Sequence, residues 1–362
     1  MDFKAYLAIG EENDRHTLAT TVGYLPLTDF KLPEPGFKTK KRGEFRGQSS
    51  RLGHRVERRQ GTEVKGSFTF PLFSEAGTAK GIVATIFKHL LAHATTVQNA
   101  ATGQYASIIY GVSNPWDDAN LGTKALSLLF TFMQGDVLKV HPVLGARPTK
   151  IKISQKPSED ALCTVDFVAQ EYGTIDDGVE IDDTYYPAEN LRCDHQMFRL
   201  YTGAVIRTGD APDFTNIAQD NATPIAPDEF EIEIDAGYKD KMVLNGKSYP
   251  SKTNVGIITG KATMKIDFED PASGFSSVAE YLAWRAGVSE LNLLAVWDTG
   301  VQAGAGLNHQ VVLDVPRANR VKANPEIKQS EDPTIPLEYD FHYDDTALYA
   351  IAALFINTAD TV

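Results

Sequence analysis

The chain is poor in the residues that staple small secreted folds together. It has two cysteines, Cys163 and Cys193, in 362 residues. That is no disulfide framework, and it fits a protein made in a reducing cytoplasm with its thiols free. Tryptophan is nearly as scarce. Trp116, Trp284 and Trp297 are scattered along the chain. Long apolar runs are missing. The longest, 125–133 and 348–356, have the length of a strand or a short helix, far from the ~18 residues of a membrane span, so no membrane partner is expected. The opening Met-Asp-Phe-Lys has no basic region followed by an apolar core, so no secretory signal is expected either.

Catalytic and metal signatures are absent as well. The run Gly256-Ile-Ile-Thr-Gly260-Lys261-Ala262 is one residue short of a phosphate-binding loop. It also has Ala262 where a metal-binding hydroxyl belongs, and a strand pattern follows instead of a helix. Gly246-Lys247-Ser248 lacks the upstream glycine. His89 and His93 stand four apart in an expected helix, the spacing at which two imidazoles share a side. Leu90 occupies the place of a catalytic glutamate, and no third ligand presents itself. Cys193-Asp194-His195 are sequence neighbours, but adjacent residues of a strand point to opposite faces. The acidic run from Asp176 to Asp183 does not have the spacing of a calcium loop and reads as a solvated connection. The expectation is a protein with no cofactor, no metal and no catalytic site.

What is present is a pattern that occurs twice. Val64, Phe68, Phe70 and Leu72 alternate with Lys65, Ser67 and Thr69, the period of a strand with one buried face; Gly66 falls on the apolar side. A turn follows at 74–77. Then Ile82, Val83, Ile86, Phe87, Leu90 and Leu91 recur at helical spacing. Aligning Gly66 with Gly260 brings up the second occurrence. Gly260, Ala262, Met264, Ile266 and Phe268 alternate with polar residues, Pro271 to Gly274 make a turn, and Val278, Tyr281 and Leu282 continue as a short helix. Further on, Arg147-Pro-Thr-Lys-Ile-Lys152 parallels Arg317-Ala-Asn-Arg-Val-Lys322, and Val165-Asp-Phe167 parallels Tyr339-Asp-Phe341. Four elements in matched order point to an internal duplication.

Charge is unevenly distributed along the chain, whose net charge is −13. Residues 31–60 hold ten Lys/Arg against three Glu, whereas 151–240 hold twenty Asp/Glu against six Lys/Arg. The basic stretch has few large apolar side chains and reads as a long loop, of the kind that carries function. Phe230, Ile232 and Ile234 alternate with Glu229, Glu231, Glu233 and Asp235, an acid-lined strand. The expected division is a first repeat at 1–175 with its long basic loop (31–60), an acidic connection and insertion at 176–228, and a second repeat at 229–362.

Several stretches together resemble the tail tube proteins of long-tailed bacteriophages. They are Tyr6-Leu-Ala-Ile-Gly-Glu-Glu12; Gly61-Thr-Glu-Val-Lys-Gly-Ser-Phe-Thr-Phe70 with the helix at 81–91; Gly145 to Ser154 with Ala161 to Phe167; and the second set at 257–268 and 317–341. The resemblance spans nearly the whole chain. It implies a mainly β fold with flanking helices: two tandem β-sandwich units whose inner strands join those of neighbours in a β-barrel lining a ring channel. It also implies a structural virion protein, not an enzyme. Such a protein would be assembled in the host cytoplasm, form rings of three chains with pseudo-sixfold symmetry or of six, and stack into the tail tube. Its partners would be further copies of itself, the tape-measure protein and the tail completion proteins, with DNA passing through the lumen without specific binding. In that setting the basic residues Lys38, Lys40, Lys41, Arg42, Arg46, Arg51, Arg55, Arg58 and Arg59 are expected at the contact between rings. The alternative is a soluble β-sandwich that binds carbohydrate.

Overall fold

The structure, a computed structural model, describes all residues except 1–4, 14–16, 42–56, 76–80, 100–102, 116, 118–120, 122–123, 179–187, 242–251, 288–289, 305, 328–331 and 359–362. The described chain is mainly antiparallel β-sheet with two α-helices. The strands of its first part are β1 (Ala5–Glu12), β2 (Gly23–Pro26), β3 (Asp29–Lys41) and β4 (Glu57–Pro71). After α1 (Ile82–Leu91) come β5 (Ala92–Asn99), β6 (Gln104–Gly111), β7 (Ala125–Gln134), β8 (Val137–Gln155) and β9 (Leu162–Ala169). Short pieces follow: β10 (Glu171–Tyr172), β11 (Asp176–Asp177), β12 (Phe198–Thr202), β13 (Val205–Thr208), β14 (Asn216–Gln219) and β15 (Thr223–Ile225). The last part has β16 (Glu229–Asp235), β17 (Lys239–Lys241), β18 (Lys252–Asn254), β19 (Thr259–Asp267), α2 (Ser277–Arg285), β20 (Glu290–Gly304), β21 (Leu307–Ala323), β22 (Thr334–Phe341) and β23 (Ala352–Asn357).

Eight of these strands make one continuous run in the order β3-β4-β9-β8-β16-β19-β22-β21. The first four and the last four succeed one another with matching registers. Phe68 lies opposite Val165 and Phe70 opposite Cys163; Ala262 lies opposite Tyr339 and Met264 opposite Leu337. A bulge follows Pro148 in β8 and Arg320 in β21. Both aligned glycines face a phenylalanine on the next strand. A Cβ on Gly66 would stand 2.8 Å from the Phe167 ring, and one on Gly260 would stand 2.2 Å from that of Phe341. The ring covers the space that a side chain would fill, so glycine is the residue that admits it.

Strands β8 and β21 are long because each belongs to two sheets. The first half of β8 pairs with β7 and continues the layer β2-β1-β7. The first half of β21 pairs with β20 and β23, in a layer that runs β15-β12-β20-β21-β23-β6-β5. The hairpin β5–β6 thus lies in a sheet built mainly from the C-terminal part of the chain. The main core fills the space between layers. Its largest fully buried side chains include Trp297, Phe70, Phe73, Phe87, Phe130 and Tyr339, each contributing roughly 1.5–3 kcal/mol on removal from water. Helix α1 is buried at every position but Thr85 and sits against that core, with Lys88 and His89 on the side that meets Glu11. Helix α2 buries only Ser277 and lies on the surface, capped by Ser276 Oγ accepting from Ala279 N.

Several expectations are corrected. The stretch 31–60 is not one loop: 31–41 and 57–60 are strand, and only 42–56 lies outside the described residues. The paralleled stretches 147–152 and 317–322 are not separate elements but parts of the long strands β8 and β21. Within the stretch 176–228, expected as an acidic connection and insertion, lie the strands β12 to β15. His93 is not on the helix, because α1 ends at Leu91 with Ala92 in the left-handed conformation, φ 82°.

Candidate functional site

The residues weighed for chemistry are dispersed. His89 is buried and bonds Glu11 Oε1 at 3.1 Å; His93 lies near Thr95 Oγ1 at 3.2 Å. Burial pushes the His89 imidazole down to about 4, against its hydrogen bond to Glu11, so it is neutral. Burial alone would raise Glu11, but His89, Lys88 and Lys124 together hold its carboxyl well below the carboxylate range. Both cysteines are fully buried, and burial pushes both thiols up, so Cys193 is no nucleophile. Asp176 and Asp177 form β11 against β8. Residues 179–183 of the acidic run lie outside the described residues. Among the described residues no group of three or more His, Cys, Asp or Glu could hold a metal.

One constellation went unread in the sequence because its members lie far apart. Ser74 Oγ is 3.2 Å from His309 Nδ1, beside Glu75. Ser74 is 1 % exposed and His309 3 % exposed, so no substrate reaches them. Glu75 serves the helix instead. Its Oε1 accepts from the backbone N–H of Ile82 and of Val83, the latter at 3.0 Å, where Gly81 offers no capping side chain. Burial pushes its carboxyl up to about 7 despite those bonds. Similarly, the segment 198–228 is tied down rather than loose. Arg207 donates to both oxygens of buried Asp314, at 2.7 and 2.9 Å, and Tyr110 OH donates to Asp213 at 3.0 Å.

The feature that stands out is the polar face of the eight-strand run. One face of each strand packs on the core. The other face carries Asp29 and Lys31 on β3, Lys65 on β4, Asp166 on β9, Lys150 and Lys152 on β8, and Glu229 to Asp235 at alternate positions on β16. It continues with Lys261, Lys265 and Asp267 on β19, Glu338 and Asp340 on β22, and Lys322 on β21. Acids slightly outnumber these lysines, and Arg317 at the margin of the face on β21 is paired with Glu290. At the junction of β8 and β16 the charges pair: Lys152 Nζ to Glu231 at 2.7 Å and Lys150 Nζ to Glu233 at 2.8 Å. The bond to Glu233 raises the Lys150 ammonium, and burial raises Asp166. The sequence showed the acids of β16 but not the lysines opposite, which are about eighty residues away.

The two ends of the run differ in charge. Pairing of β3 with β4 continues from Gly36 opposite Glu63 to Lys41 opposite Glu57, beyond the part of β4 that pairs with β9. The result is a two-stranded ribbon projecting past the sheet. Lys38, Lys40, Lys41, Arg58 and Arg59 are on it; Arg42, Arg46, Arg51 and Arg55 lie outside the described residues. The corresponding place in the later four strands is taken by the shorter hairpin β17–β18. At the opposite end are the exposed acids Glu159, Asp228, Glu229, Asp267, Glu269 and Asp270. They come from separate turns, so no window of sequence displays them as one surface.

The outer edge of β3 has no strand partner among the described residues, and beyond Asn319 β21 pairs with β22 alone, its other edge having no strand partner among them. Tyr343, 54 % exposed, is the one aromatic among the exposed large apolar side chains described, so a flat aromatic platform for sugars has little to build on. No model of a known protein family matches the chain, and no curated protein matches it.

Proposed function

We propose that this chain is an internally duplicated tail tube subunit of a long-tailed bacteriophage, a structural protein that closes into rings and stacks into a channel for DNA. The observation that carries the reading is the succession β3-β4-β9-β8 and β16-β19-β22-β21 in one sheet with shared registers. Two equivalent four-strand units already join side by side within the chain at the β8–β16 junction. The same junction made between chains would extend the sheet around a ring, leaving no strand edge exposed. Two units per chain give six units in a ring of three.

The polar face suits the lumen of such a ring. DNA binds proteins chiefly through phosphates held by Lys and Arg, and each such contact releases counterions. A wall whose lysines are balanced by a slight excess of carboxylates offers little net grip, and Arg317, the kind of side chain that clamps phosphates in a bidentate manner, is taken by Glu290. The basic ribbon at one end and the acids at the other suit head-to-tail stacking of rings, with opposite potentials setting orientation more than affinity.

Native mass spectrometry and negative-stain imaging of the purified protein test the reading. Rings of three chains that stack into tubes are expected. Six chains per ring would defeat the equivalence of the two units, and a persistent monomer would defeat the reading as a whole.

A further inference from the structure

We infer that the joint between chains pairs the outer edge of β3 in one copy with the end of β21 in another, in a defined register in which Phe30 stands opposite Ala323 and Lys31 opposite Lys322. This rests on the ring reading above and adds the register, which the chain's own internal junction supplies. There β16 pairs with the second half of β8: Ile232 opposite Ile153, Glu233 opposite Lys152, Ile234 opposite Ile151. The matching registers transfer these positions. Phe30 lies opposite Phe68 on β4 as Ile232 lies opposite Ala262 on β19. Ala323 lies opposite Leu337 as Ile153 lies opposite Cys163, and Lys322 lies opposite Glu338 as Lys152 lies opposite Thr164. Asn319 lies opposite Asp340 as Lys150 lies opposite Asp166.

Three features of the open edges fit one another in that register. On the core side, the internal pair Ile232 and Ile153 is replaced by a large residue, Phe30, against a small one, Ala323, which fills a similar space. On the polar side, Asp29 takes the place of Glu231 and meets Lys322, repeating the internal ion pair to Lys152. Lys31 takes the place of Glu233 and comes beside Asn319, whose Oδ1 has no hydrogen-bond partner among the described residues. Asn319 holds the place of Lys150, which donates to Glu233 in the internal junction, so donor and acceptor types are exchanged across the joint. Pro33 and Pro35 follow at once in β3. Proline gives no N–H to a neighbouring strand, so the joint ends there and the ribbon beyond stays free for other contacts.

Disulfide trapping tests this. In the joint Lys31 and Lys322 are directly opposed, with Cβ atoms about 4.5–5.5 Å apart, close enough for a disulfide after small adjustment. The double variant Lys31→Cys with Lys322→Cys, oxidised gently, is expected to give a ladder of linked chains that ends at three. The buried native cysteines do not interfere. The pair Lys31→Cys with Val321→Cys, moved onto the bulge residue, is expected to remain unlinked. Charge exchange provides a second measurement. Asp29→Lys alone is expected to weaken ring association about fivefold, the scale of one exposed ion pair, and adding Lys322→Asp, which then faces the lysine introduced at position 29 and Lys31, to restore it. If rings form but the shifted pair links, neither pair links, or the charge effects simply add, the register is overturned while the ring reading stands. If the unaltered chain forms no rings, the ring reading fails and the joint with it.

Discussion

At the scale of single residues, the glycines under the phenylalanine rings give a direct test of how the sheet is packed. A methyl group on Gly66 would press on Phe167, which is 2 % exposed and held in the core. Forcing a side chain into a filled core typically costs about 1–3 kcal/mol, and Gly66→Ala is expected to lose that much by urea unfolding. Gly260→Ala meets a closer ring, yet Phe341 is half-buried at a strand end and can swing aside, so a smaller loss is expected. A larger loss at Gly260 would show that Phe341 is as firmly held as Phe167. Glu75 gives a test by pH. Its folded value, about 7, lies above its ordinary 4.5 because of burial. The folded protein therefore keeps a proton that the unfolded chain has released, and stability falls as pH rises from about 4.5 to about 7. The drop is about 3 kcal/mol at ~1.4 kcal/mol per unit. Glu75→Gln keeps the acceptor for Ile82 and Val83 and removes the charge, so its unfolding midpoint is expected to lack this fall between pH 5 and pH 8. The same pH dependence in both proteins would mean that Glu75 is ionised throughout without loss.

At the scale of elements, the sequence was legible wherever one face of an element is buried. The alternation around Phe68 and Met264 marked β4 and β19, and the helical spacing of Ile82 to Leu91 marked α1. It failed in β8 and β21, each of which passes from one layer to another. Pro142, Gly145 and Pro148 break the apolar rhythm of β8, yet its hydrogen bonds continue with new partners. It failed again in the ribbon of β3 and β4. Its sequence shows no period of two, and prolines and charges crowd it, so its pairing is invisible there. The ribbon also carries a prediction. The triple variant Lys40→Glu, Lys41→Glu, Arg42→Glu is expected to fold and form rings but to stack poorly, most clearly at low salt, where unlike charges are least screened. Adding Asp267→Lys, Glu269→Lys and Asp270→Lys at the opposite end should restore part of the stacking, read as tube length in the electron microscope. If the triple variant stacks normally and instead loses affinity for DNA, the arm is a nucleic-acid contact.

At the scale of the whole molecule, the polar face and the two charged ends depend on segments that meet only after folding. Lys150 and Glu233 become neighbours through the β8–β16 junction, and the acids of one end come from several separate turns. The acid-lined β16 was readable alone; the balance of charge across the face was not. That balance is what the DNA reading requires, so it is the place to disturb. Glu338 and Asp340 lie on the polar face of β22, away from the ion pairs of the internal junction. Glu338→Lys with Asp340→Lys turns two carboxylates per chain into ammonium groups, and every stacked ring repeats the change. Glu338 lies opposite Lys322 and Asp340 opposite Asn319, on the β21 side of the joint, so tube assembly is checked first by negative stain and release is read on particles whose tubes reach normal length. DNA release from particles built with the variant is expected to slow several-fold, and raising the salt should return it toward the original rate, because contacts made by counterion release weaken steeply with salt. Normal release at low salt would mean that this face does not meet the DNA, and the lumen would have to be sought on another surface of the ring.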